Sequence, residues 1–191
     1  MTTAAPLTGQ LLNDNEASFA GQLARGDAEA FDQFIALYQP RVARLAQRLL
    51  GWNGDIDDVV QDVFLTAWNK AGSFRRESSL WTWLTVITLN QCRSRIRRRT
   101  LLQRLPFRLV RRDAHPPADR GAIQQETGQR VREAVTSLKP AERELVVLHY
   151  LEHRSADELA MLLGVSKNTL DVRLHCARQK LKATLADLIT E

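Results

Sequence analysis

The sequence predicts an all-α protein made of two small helical domains joined by a flexible linker, and three observations carry that prediction. Apolar residues recur at three- and four-residue steps almost throughout, with Gly and Pro as punctuation and no run that alternates with period two. The segment Ser155–Arg178 has the spacing of a helix-turn-helix. Between the periodic halves, from Thr100 to about Glu126, the pattern dissolves into arginines with His115, Pro116, Pro117 and Gly121, the composition of a linker. The 191 residues, 44% of them hydrophobic, suffice for one or two globular domains, and a formal charge of +5 favours a polyanionic partner.

The elements follow in order. After a polar, Ala/Thr-rich leader assigned to residues 1–26, Asp27 is an N-cap for a helix carrying Phe31, Phe34, Ile35, Leu37 and Tyr38. Pro40 removes a donor and clashes with the preceding turn, so a kink or short break is expected before Val42, Leu45, Ala46, Leu49 and Leu50 continue the stripe. The next helix, Asp55 to about Ala71, is the cleanest amphipath, with Ile56, Val59, Val60, Val63, Phe64, Ala67 and Trp68 on one face. Its other face carries Asp57, Asp58, Gln61 and Asp62. Carboxylates near a helix N-terminus suit the dipole, so a solvated face accounts for them as well as a partner does. On a basic chain that met only DNA such a face would be odd, and it suggests a basic protein surface as second partner.

A third helix, Ser79 to about Arg99, is apolar at its front and cationic at its tail. Leu80, Trp83, Leu84 and Ile87 form its core stripe, and core packing is assigned more readily to Trp83 than to Trp81. Asn90, Arg93, Arg97 and Arg98 line a face that can follow phosphates and offer one amide to a base. The loop before it holds Phe74, Arg75 and Arg76, the aromatic and arginine types that hold unstacked bases.

In the helix-turn-helix, Ala160 permits close approach, Gly164 supplies the turn, Leu170 is the core contact and Ser166 caps the second helix. The cap places Lys167, Asn168 and Thr169 where such helices meet base edges, with Arg173, Arg178 and Lys180 available to phosphates. Two amphipathic helices joined at a glycine also make a plain αα-corner, so the rest of the chain must decide.

Enzymatic readings find little support: there is no phosphate loop of the P-loop type and no Ser/His/Asp arrangement, so no catalytic residue and no cofactor is assigned. His149 and His153 are spaced one helical turn apart, and His175 with Cys176 could complete a zinc site. That reading is disfavoured, because HYLEH is placed in a helix that needs Tyr150 and Leu151 for packing, and no metal is assigned. Cys92 and Cys176 belong to no Cys-x-x-Cys pair and are read as reduced, with no disulfide. No apolar run approaches the roughly 20 residues of a spanning helix, and MTTAAPLTGQLL lacks the features of a signal peptide, so a cytoplasmic protein without membrane insertion is expected.

Four segments in this order, FDQFIALYQPRVARLAQRLLG, DIDDVVQDVFLTAWNKAGSF, WTWLTVITLNQCRSRIRRR and SLKPAERELVVLHYLEHRSADELAMLLGVSKNTLDVRLHCARQKL, resemble the sigma-70 family of bacterial RNA polymerase initiation factors, of the extracytoplasmic-function type. The resemblance runs from about Asp27 to Leu185. It implies a sigma-two-like domain at 27–100, a linker at 101–126 and a sigma-four-like helix-turn-helix domain at 127–187. It implies that Asp58, Gln61 and Asp62 bind a basic coiled coil of the largest polymerase subunit. Phe74, Arg75, Arg76, Asn90, Arg93 and Arg97 would then meet the minus-ten element. Lys167, Asn168, Thr169, Arg173 and Arg178 would meet the minus-thirty-five element.

The function so implied is that of an initiation factor that binds core RNA polymerase, recognises promoter DNA and is controlled by an anti-sigma factor. The alternative is a stand-alone helix-turn-helix regulator with an N-terminal sensing or dimerisation domain. The chain departs from the family pattern at Asp171, where a basic residue is usual, and at Cys176, where arginine is common. Gln91, Cys92 and Ser94 also replace the more usual small and acidic residues, so the promoter sequence does not transfer. An aspartate accepts from the cytosine amino group and repels phosphate; either the minus-thirty-five preference is unusual or that face points away.

Overall fold

A computed structural model of the chain describes residues 18–51, 55–74, 78–103 and 122–186. These are helices joined by short turns, and no strand occurs among the described residues. They divide into two compact units. The first comprises the residues up to Ala46 and those of Asp55–Thr100, and the second Gln47–Gly54 and those from Leu101 on.

Asp27 caps α1 (Ala28–Leu50): its Oδ1 accepts the N–H of Ala30 at 3.1 Å, closing one of the orphan donors of the first turn. Helical structure starts before the leader boundary expected at 26/27. Residues 18–24 form a helical segment that buries Ala20 and Leu23 and tilts Phe19 against Phe34, ring centroids 6.1 Å apart. Of the kink or short break expected at Pro40, the break is absent: α1 is continuous through it. The proline lies on the exposed side, where the carbonyl that loses its partner can be hydrated, while Tyr38 and Val42 on either side are buried. Leu37, expected in the stripe, falls on that outer side and is 64% exposed.

The core of the first unit is built by Phe34, Val42 and Leu45 of α1, Val59, Val63 and Phe64 of α2 (Ile56–Lys70), and Leu80 and Leu84 of α3 (Leu80–Gln103). Phe64 meets Phe34 edge-on, centroids 5.8 Å apart. Each such side chain contributes about 1.5–3 kcal/mol on burial. On α3 the buried arc runs through Leu80, Trp81, Leu84, Thr85, Thr88 and Cys92. The two threonines can sit inside because each hydroxyl donates to a carbonyl one turn back, Thr85 to Trp81 and Thr88 to Leu84, both at 2.8 Å. This shifts the core assignment of the tryptophans. Trp81 is buried, stacked parallel to Tyr38 with the Arg41 guanidinium 4.0 Å from its ring centroid, whereas Trp83 lies off the arc and is half-buried.

α3 runs on to Gln103, and α4 (Ala122–Ser137) begins inside the stretch expected as linker; residues 104–121, with His115, Pro116 and Pro117, lie outside the described residues. In the second unit α4 is followed by α5 (Pro140–Val146), a widened π turn at Val147–Leu151, α6 (Ala156–Leu163) and α7 (Lys167–Thr184). Leu138, Val146 and Ala177 form a core cluster flanked by Val135 and Leu181. Arg143 is buried and closes the end of α4, its Nη2 donating to the carbonyls of Thr136 at 2.7 Å and Leu138 at 3.2 Å.

The HYLEH segment is not the regular helix expected. It passes through the π turn and ends with His153 in a left-handed conformation (φ 53°), so the two histidines do not share one α-helical turn. Tyr150 and Leu151 are 40% and 41% exposed, so they do not anchor the packing.

Candidate nucleic-acid and protein interface

On α2 the buried residues Val59, Val63 and Ala67 face inward, which turns Asp58, Gln61 and Asp62 outward at three- and four-residue steps. Leu65 continues that outward face and is 52% exposed. Its signal in the sequence is an apolar residue two turns after Asp58, out of phase with the core stripe. A single exposed leucine is ordinary on a folded surface, so Leu65 marks an apolar point on this face without by itself naming a partner.

This acidic face is tied to α3 at two points. Arg95 Nη2 lies 2.8 Å from an Asp55 carboxylate oxygen and 2.6 Å from one of Asp58. One turn earlier, Gln91 Nε2 donates to Thr66 Oγ1 at 2.8 Å, and that hydroxyl donates to the Asp62 carbonyl at 2.7 Å. Asp55, at the N-cap of α2, makes no side-chain cap bond.

The outer face of α3, opposite Leu84, Thr88 and Cys92, carries Asn90 and Arg97 exposed and Arg93 half-buried. Toward the helix start the same face continues through Val86 to Trp83. Trp83 there meets Phe74, ring centroids 5.2 Å apart. Phe74 is itself placed by its N–H donating to the Ala71 carbonyl at 3.2 Å, at the end of the 3-10 turn Ala71–Ser73, and Ser79 caps α3 by accepting the N–H of Thr82 at 3.1 Å. One aromatic pair therefore leads into one polar and cationic stripe. Trp83, expected in the core, belongs to this stripe by its spacing of two turns before Asn90. Arg75 and Arg76 lie outside the described residues.

The helix-turn-helix forms as its residues dictate. Ser155 and Glu158 make a reciprocal capping box on α6, Gly164 ends it in the left-handed conformation (φ 65°), and Ser166 Oγ accepts the N–H of Thr169 at 3.2 Å to start α7. Leu170, Leu174 and Ala177 are buried, which leaves Asn168, Val172 and His175 facing straight out. Lys167, Asp171 and Arg178 line one border of that face and Arg173 the other, all exposed. Thr169 is half-buried and engaged with the Ser166 hydroxyl at 2.8 Å, as part of the cap. Val172, 56% exposed at the centre of the face, adds an apolar group not among the expected contacts. An apolar group there suits a thymine methyl.

Two of the expected cations, both exposed, are paired with carboxylates of the same chain. Lys167 Nζ lies 2.9 Å from Asp157, and that hydrogen bond, with the charges of Asp157 and Asp171, keeps its ammonium protonated above the ordinary lysine range. Lys180 bonds Glu142, which holds the Glu142 carboxyl below the usual carboxylate range. Asp171 is therefore an exposed border residue whose charge acts on Lys167.

Among the described residues no three His, Cys, Asp or Glu converge as a metal site, and His149 Nδ1 lies 2.9 Å from the Arg154 carbonyl oxygen. Cys92 is buried and Cys176 exposed. Among the described residues no helix is long and apolar enough to cross a membrane.

Comparison with known proteins adds to this geometry. Residues 34–101 match the family model described as Sigma-70 region 2, and residues 128–181 that described as Sigma-70, region 4. The chain is similar to the ECF RNA polymerase sigma factor SigM of Mycobacterium tuberculosis, 34% identical over 92% of this chain and 87% of the relative. It is also similar to the RNA polymerase sigma factor CnrH of Cupriavidus metallidurans, 32% identical over 90% of this chain and 95% of the relative. Among solved structures it resembles CnrH in complex with the cytosolic domain of CnrY (TM-score 0.65, 29% identity, 90% of this chain and 97% of that one). It likewise resembles the sigma factor RpoE in complex with the anti-sigma factor NepR from Bartonella quintana (TM-score 0.67, 28% identity, 83% and 98%).

Proposed function

The chain belongs to the extracytoplasmic-function sigma factors of the sigma-70 family, and from that premise we propose how its two units serve initiation. It binds core RNA polymerase, recognises promoter DNA and directs the start of transcription, under the control of an anti-sigma factor. The observation that carries this reading is the order of a region 2 match and a region 4 match in one chain, each on a unit with exposed polar faces.

In our reading the outward face of α2, with Asp58, Gln61 and Asp62, docks on a basic surface of the polymerase, and Leu65 supplies the apolar contact at its centre. The outer face of α3 takes the minus-ten element. Phe74 and Trp83, with Arg75 and Arg76, receive a base that has left the stack, and Asn90, Arg93 and Arg97 hold the duplex upstream of it. A base is readable on its Watson–Crick edge only once it is unstacked, so an aromatic pair at the start of a cationic stripe suits the edge of a melted segment.

α7 takes the minus-thirty-five element in the major groove. Asn168 offers an amide to adenine and Val172 a methyl contact to thymine, while Lys167, Thr169, Arg173 and Arg178 fix the helix on phosphates and base edges. The chain supplies no catalytic group; polymerisation belongs to the partner enzyme, and the protein works in the cytoplasm where that enzyme is.

Run-off transcription with purified core polymerase, on a template carrying the promoter upstream of the protein's own gene, tests the reading. Defined transcripts that need this chain are expected. Failure of the chain to bind core polymerase at all would overturn it.

A further inference from the structure

The α2 face assigned to polymerase is not an isolated row of carboxylates. Asp55, Asp57, Asp58 and Asp62 fall within two turns of one helix and repel one another, so an unsupported Asp58 gains by pointing its charge away from its neighbours. A cation that opposes this is Arg95, and it comes from another helix. Its Nη2 lies between the Asp55 and Asp58 carboxylates, 2.8 Å and 2.6 Å away. Arg95 is not a loose surface cation: its side chain is 24% exposed, and its Nε is buried without a hydrogen-bond partner. The Gln91–Thr66 bond one turn earlier joins the same two helices, so the register of Arg95 against Asp58 is set by a second contact. Asp58 itself remains 67% exposed, with an oxygen left to offer outward.

We infer that Arg95 is a positioning residue for the polymerase-binding face: it fixes Asp58 in the geometry a basic partner meets. The inference rests on the functional reading of that face. A cation that orients a carboxylate before docking spares the complex the ordering of that side chain. The competing effect is that Arg95 takes negative charge away from the partner, which would make its removal favourable. The two effects have opposite signs in affinity, and the half-buried, doubly held geometry favours the first.

The test measures the dissociation constant and dissociation rate of full-length protein with core polymerase, for the parent, Arg95→Met, Arg95→Lys, Asp58→Asn and the Arg95/Asp58 double variants, with thermal unfolding alongside. Arg95→Met is expected to weaken binding by about 3- to 10-fold through faster dissociation, the range for one immobilised side chain. Arg95→Lys, which keeps the charge and reaches one carboxylate, is expected to fall between Met and the parent. Both losses are expected to vanish in the Asp58→Asn background. A loss of equal size in both backgrounds overturns the inference, because Arg95 then acts on the fold rather than through Asp58. Tighter binding by Arg95→Met overturns it in favour of competition. If Arg95→Met does not fold, the Arg95→Lys pair decides by the same rule. Unchanged binding by Asp58→Asn alone overturns the assignment of the acidic face itself, a separate failure.

Discussion

Lys167 Nζ lies 2.9 Å from the Asp157 carboxylate, so the first cation of α7 is held by the helix before it. In the proposed docking of α7 on duplex DNA, Lys167 exchanges this carboxylate for a phosphate. Asp157→Asn is expected to tighten binding to duplex DNA of any sequence by about two- to fivefold, the range for an exposed ion pair. Lys167→Ala is expected to reduce the salt slope of binding by about one unit. Fluorescence anisotropy over a salt series measures both, and an Asp157→Asn variant with unchanged affinity would show that the pair is not broken on docking.

Phe74 and Trp83 make one aromatic contact at the head of the α3 stripe. Replacing either by Ala is expected to weaken capture of the unstacked base by about 1–3 kcal/mol, with little change in docking on core polymerase. Permanganate reactivity of promoter thymines, set beside polymerase affinity, separates the two steps. Equal loss of both would indicate damage to the fold.

Arg143 satisfies the carbonyls of Thr136 and Leu138 from a buried position. Arg143→Met keeps the stem but strands both acceptors, and a loss of about 2–3 kcal/mol is expected. Arg143→Lys cannot reproduce the fork and is expected to recover only part of it. Denaturant unfolding of the full chain gives the figure, and a Met variant as stable as the parent would refute this role.

Acid is expected to weaken the second unit through two carboxyls. Glu142 is held below its ordinary value near 4.5 by its bond to Lys180, and Glu158 by the Ser155 backbone N–H of the capping box. A depressed carboxyl contributes stability that is fully present above its unfolded value and is lost as pH falls through its folded one. Unfolding temperature should therefore drop as pH falls below about 4.5, and drop less in Glu142→Gln/Glu158→Gln. Ser155→Ala, which opens the capping box, should cost about 0.5–2 kcal/mol at neutral pH. Thermal melts across the acid range check both.

The apolar stripe of α2 and the helix-turn-helix could be read directly, because in each case local periodicity and local caps agree. Val59, Val63 and Phe64 mark one face at helical steps; Ser155, Gly164 and Ser166 mark helix starts and a turn through bonds within three residues of themselves. Pro40 and Trp83 were not readable in the same way. A proline that breaks an isolated helix is tolerated where its neighbours are packed, and a tryptophan reads as core until the threonines that displace it are seen bonding their own backbone.

The sequence by itself determined the all-helical class, the order of the elements, the acidic and cationic composition of their outer faces and the cap chemistry of the turn, since all of these depend on spacing along one chain. Only the tertiary structure decided how charges from different helices pair. It set Arg95 on Asp55 and Asp58, Lys167 on Asp157 and Lys180 on Glu142. Such partners lie on different helices, and their meeting depends on which helix faces pack together, a matter of distance in space that no periodicity along the chain encodes.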